Sequence, residues 1–154
     1  PRRPGRQRIG LVWQSGVWGV GVRDLTRQRK SVDVSLLQPL FALADVICLQ
    51  PEPVADELRD QLQTPQIKDF ADTAALVVLS DHVVSVDTAV AHLAGAMGHP
   101  VTVLMRHEGA PFFGLQQTEA PWYPGMRVLR QSAPGDWTTV LAALPAVFSP
   151  EELP

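Results

Sequence analysis

The stretch VVSVDTAVAHLAGAMGHPVTVL, Val83 to Leu104, places Asp87, Thr88 and His92 where a buried apolar run gives way to a string of small residues. An acid and a hydroxyl at such a junction can cap a helix, and free first-turn amides at the positive dipole end can hold an anion. His92 follows Thr88 by four residues, so the two share one helix face, and helical side chains lean back toward the N-terminus. A plainer account is equally open: Asp87 and Thr88 only cap the helix, and His92 is a hydrogen-bonded core histidine. Ala91, Ala94, Gly95 and Gly98 keep that helix thin enough to pack closely on a sheet.

A second segment with chemical potential is QSGVWGVGVRDLTRQRKS, residues 14–31, which carries Gly16, Gly19 and Gly21. The spacing is neither the G-x-G-x-x-G of dinucleotide sites nor a Walker A loop. What remains is a glycine-bearing loop whose backbone can approach a ligand, followed by Arg23, Arg27, Arg29 and Lys30. That basic cluster suits a phosphate or diphosphate; a surface loop with solvated charges has the same composition. His82, His99 and His107 share no metal-ligand spacing, so no metal site is expected. No serine lies in a G-x-S-x-G elbow, which argues against a hydrolase. Trp122 and Tyr123, in a proline-flanked turn, suit either stacking on a base or sugar or plugging the core.

The elements that must position these residues alternate along the chain. Buried strands are expected at 8–13, 45–50, 82–86, 101–105 and 126–131, with a short one at 66–70. Helices are expected at 34–44, disturbed by Pro39, at 54–62, at 72–80 capped by Asp72, at 88–98, and at 136–148 capped by Asp136. Near-continuous apolar strands separated by helices predict a parallel sheet covered on both faces, a Rossmann-like α/β/α domain of about six strands. In the order 3-2-1-4-5-6, ligands bind where strands 1 and 4 diverge, outside their carboxyl ends. The loop at 14–31 and the Asp87-Thr88 turn then face each other.

The 154 residues suffice for one domain, taken as residues 8–148 between a basic linker at 1–7 and a tail at 149–154. No apolar stretch is long enough for a membrane span, and the single Cys48 reads as a small core residue in a reducing, cytoplasmic compartment. Residues 1–30 hold eight cations and one acid, and the remainder five and fifteen. The basic arm is expected to be a solvated linker rather than a nucleic-acid contact. Opening on Pro1 rather than Met, the chain is expected to be a piece of a longer protein.

Residues 71–105, together with RIGLVW, APWYPGMRVLRQ and GDWTTV, resemble the C-terminal, donor-binding half of GT-B glycosyltransferases. The likeness is greatest to bacterial tetratricopeptide-repeat-linked enzymes related to heptosyltransferases. The resemblance implies a metal-independent transferase that uses no cofactor and whose donor is a UDP- or ADP-linked sugar. It places Asp87, Thr88 and Ala89 by the diphosphate and sugar, supported by His92. Gln14 and Ser15 match phosphate-contacting residues, Lys30 the cation that neutralises the leaving diphosphate, and Glu52 an acid near the ribose or base. The catalytic base belongs to an N-terminal acceptor domain outside this sequence. Three loops depart from the pattern: SGVWGVG at 15–21, Gln50-Pro51-Glu52, and HEGAPFFG at 107–114. Those departures leave a non-catalytic binding module as the alternative; a sugar-nucleotide epimerase, which needs cleft carboxylates such as Asp87 and Glu52, ranks last.

Overall fold

The computed structural model describes residues 3, 5–16, 22–114 and 118–148, apart from the side chains of residues 22–24, 26 and 111. Gly19, Gly21 and the 149–154 tail therefore lie outside the described residues, as does the Arg23 side chain. Six parallel strands form one sheet: β1 (Arg8–Val12), β2 (Asp45–Cys48), β3 (Leu62–Gln63), β4 (His82–Val86), β5 (Val101–Met105) and β6 (Met126–Arg130). Their order, β3-β2-β1-β4-β5-β6, is the doubly wound order expected. Five helices cover it: α1 (Val22–Lys30), α2 (Gln38–Leu43), α3 (Phe70–Leu79), α4 (Ala89–Ala96) and α5 (Trp137–Val147). Among the described residues no helix is long and apolar enough to cross a membrane.

Strand alternation divides the core into two layers. Ile9, Leu11, Val46, Cys48, Val84 and Val86 pack with Leu37, Leu40, Trp137 and Leu144 on the α2 and α5 face. Val12, Ile47, Val83, Val101 and Val103 pack with Val77, Ala91 and Ala94 on the α3 and α4 face. Burial on both faces is why these strands read as continuous apolar runs. Cys48 is one of these core residues; burial pushes its thiol up to about 11, so it stays protonated.

The expected elements at 82–86 and 101–105 are found residue for residue, and those at 8–13, 45–50, 88–98, 126–131 and 136–148 to within two residues at each end. Three others differ more, and a fourth differs in its cap. Residues 54–62 form only a 3-10 turn at Asp56–Leu58, because Val54, Leu58 and Leu62 alone bury there and Leu62 pairs with Val46 of β2. That pairing puts the third strand at 62–63 rather than 66–70, and Pro65, with no N–H to donate, follows it closely. Helix α3 starts two residues earlier than 72. Asp69, not Asp72, caps it by accepting from the amides of Ala71 and Asp72, while Asp72 accepts from Lys68 N. Residues 34–44 split at Pro39 into a 3-10 turn, Val34–Leu37, and α2.

At the opposite end of the sheet from the strands' carboxyl termini, Arg6 is anchored rather than solvated. Its Nη2 donates to the carbonyls of Phe41 and Ala44 at 3.1 and 2.9 Å, closing the end of α2. Its Nε lies 3.3 Å from the buried Asp45 carboxylate.

Candidate functional site

The chain leaving β1 is tied on both sides. Amides of Trp13 and Gln14 each donate to Gln50 Oε1 at 3.3 Å, joining it to the end of β2. Ser15 N donates to Ser31 Oγ at 3.1 Å, and Arg27 Nε donates to the Ser15 carbonyl at 3.2 Å. Those contacts fix the last turn of α1, a helix where a loop was expected. Its free-of-proline, Arg- and Lys-rich sequence favours helix, and its basic last turn complements the dipole. The outcome is that Lys30 Nζ sits 2.6 Å from Asp87 Oδ2, just beyond β4.

Thr88 is the N-cap residue of α4, yet no side chain caps the helix. The hydroxyl of Ser85 donates to the Val86 carbonyl at 2.7 Å, and Thr88 Oγ1 lies 2.9 Å from Ser85 Oγ. Ser85 has a single proton to give, so Thr88 donates to Ser85 and its hydroxyl turns away from the helix amides. The first-turn amides of Ala89 and Val90 are left without a side-chain partner beside a pocket that both residues line.

His92, one turn later, is held by aromatics. Its Nδ1 lies 3.1 Å from Tyr123 OH, and its ring stacks on buried Phe113 with centroids 4.8 Å apart. Gly95, also on α4, permits this. A Cβ there would stand 2.7 Å from Tyr123 Cγ and 2.6 Å from Met126 Cε. Tyr123 is thus the plug of the 120–125 turn, whereas Trp122 is 70 % exposed.

All eight residues expected at a donor site line one cavity of about 570 Å³ outside the ends of β1, β2 and β4: Gln14, Ser15, Lys30, Glu52, Asp87, Thr88, Ala89 and His92. Small-molecule sites are commonly of this size. Of the basic cluster's described side chains, Lys30 alone joins them. Arg27 bonds back to Ser15, and Arg29 lies 4.0 Å from Glu108. His82 sits at the far end of β4, and His107 turns to Gln131 through Nδ1 at 3.2 Å. The cavity also includes residues the sequence reading missed, Gln50, Ile67, Lys68, Phe70 and Thr73. The sign available for Gln50 was a polar residue closing the buried run VICLQ. Lys68 and Phe70 were hidden by the strand reading of QIKDF.

No family model matches the chain, and no curated protein matches it. Among solved structures it is similar to ADP-heptose LPS heptosyltransferase II of E. coli, with a TM-score of 0.62 and 17% identity. The match covers 98% of this chain and 49% of that one, so the chain spans about half that protein's length. The fold is that of one half of a GT-B glycosyltransferase. The heptosyltransferase-like architecture expected from residues 71–105 is thereby established at the level of fold.

Proposed function

We propose that this domain is the donor-binding half of a GT-B glycosyltransferase and holds a nucleoside-diphosphate sugar. The observation that supports it most is the convergence of all eight donor-side residues on one cavity at the sheet's switch point. The uncapped N-terminus of α4 and Lys30 supply positive potential where a diphosphate would lie. In the reaction, an acceptor hydroxyl attacks the sugar's anomeric carbon, the bond to the diphosphate breaks, and negative charge grows on that leaving group. Amide dipoles and an ammonium fixed beforehand stabilise such charge without reorganising. The Lys30–Asp87 pair holds the ammonium in place; when the donor binds, the diphosphate shares Lys30 with Asp87. The base that takes the acceptor proton is assigned to an N-terminal acceptor domain in a longer, cytoplasmic protein that also carries tetratricopeptide repeats.

Calorimetric titration with UDP-, ADP- and GDP-sugars tests the reading. Saturable binding to the chain is expected, weakened by Lys30→Ala and by Asp87→Ala. If none of the three binds at millimolar concentration, the domain is the non-catalytic module instead.

A further inference from the structure

Residues 34–44 and 137–148 hold no Asp, Glu, Lys, Arg or His, although 19 % of the chain is charged. The first stretch forms a 3-10 turn and α2, the second α5 with its C-terminal cap, and both cover the same face of the sheet. Solvated helix faces ordinarily carry charge, and a helix without a polar face is ordinarily covered. Here the outward side of α5 presents Thr138, Ala142 and Ala146, spaced four apart, and that of α2 presents Pro39, Ala42 and Leu43.

Between the two runs lies a groove of about 330 Å³, floored by buried Leu37, Leu40 and Leu144 and walled by Leu141, Pro145 and Phe148. At its rim Leu36 and Leu43 are 43 % and 55 % exposed. The groove shares no residue with the cavity at the strands' carboxyl ends, so it is a separate surface.

Two properties of this face select its occupant. A charged partner would bury charge that nothing on the face can pair, at a cost the contact does not recover. The occupant must therefore be as free of charge as the face itself. The face also carries both halves of a contact: a concavity, and beside it a ridge of small side chains on α5 with projecting leucines. A surface that complements itself is what a two-fold contact requires, since each residue i that meets j is matched by j meeting i.

We infer that this face binds a second copy of the chain, α5 of each copy lying in the groove of the other, with Leu36 and Leu43 closing over it. The small residues at 138, 142 and 146 let the two helices approach closely, and removing the exposed leucines from water drives the association. This inference is independent of what the cavity binds.

The test is sedimentation of the chain over a concentration series, with three variants. The wild type is expected to pass from monomer to dimer below about 1 mM. Leu43→Glu and Ala142→Glu place a charge on the face at exposed positions and should each weaken the dimer at least tenfold, or about that. Their thermal midpoints should match the wild type. Val78→Glu, at an exposed apolar residue of α3 on the other side of the sheet, should stay within about twofold. A wild type that remains monomeric at about 1 mM overturns the inference and leaves the face to a different apolar partner. A dimer that tolerates both Leu43→Glu and Ala142→Glu, or that Val78→Glu weakens as much as they do, overturns it as well.

Discussion

His82 opens β4, the strand that leads to Asp87, and is 6 % exposed. Its Nε2 lies 2.9 Å from Thr102 Oγ1, and Phe148 meets its ring edge-on. Burial, then the nearby His99 and Arg127, push its pKa down from 6.5 to about 4. The folded state therefore prefers neutral imidazole, whereas the unfolded chain takes up the proton near pH 6.5. Stability is retained above pH 6.5, falls as pH drops, and levels off below pH 4. From pH 7.5 to 4.5 this one group should remove about 2 to 3 kcal/mol. The assay is urea unfolding of wild type and His82→Gln across that range, followed by tryptophan fluorescence. Glutamine can still reach Thr102 but does not titrate. Other groups, including His99 and the caps Asp33 and Asp136, titrate in both proteins and largely cancel. The wild type should lose about 2 to 3 kcal/mol more than the variant. Curves that stay parallel within about 0.5 kcal/mol would refute a buried neutral His82.

Lys30→Met leaves the Asp87 carboxylate, 11 % exposed, without its partner and should cost about 1 to 3 kcal/mol in chemical unfolding. Adding Asp87→Asn should restore part of that loss; strictly additive single effects would show the pair is not coupled. Gly95→Ala should destabilise by about 1 to 3 kcal/mol, because its methyl group meets Tyr123 and Met126. A thermal midpoint equal to the wild type would contradict the packing that holds His92. Cys48, buried and with its thiol pushed up to about 11, should resist a thiol reagent at pH 8 until denaturant is added. Stoichiometric labelling of the native protein would count against its place in the core.

Much of the fold was legible because a sheet buried on both faces leaves a strong local trace. Runs such as VVSV and VTVL could be little else, and their helical spacers imposed the parallel order. Residues 54–70 were misread because helix and strand periods are weak there, and pairing of Leu62 with Val46 decided the outcome. Likewise VRDLTRQRK has helix-forming residues, but the glycines before it gave the whole segment the look of a loop.

The sequence by itself determined five of the six strands, the placing of Asp87 and Thr88 at a strand-helix junction, and the chemistry of the eight residues at the cavity. Those properties depend on residue type and near neighbours, which one-dimensional spacing records. Only the tertiary structure decided that Lys30 reaches Asp87, that Thr88 bonds to Ser85 instead of capping, and that Tyr123 holds His92. It likewise decided that Gln50 Oε1 accepts from both Trp13 N and Gln14 N, tying the end of β2 to the exit of β1. Each of these joins segments brought together by strand order, or turns on which of several hydrogen-bond partners a side chain takes. That choice is set by three-dimensional competition, which spacing along the chain does not record.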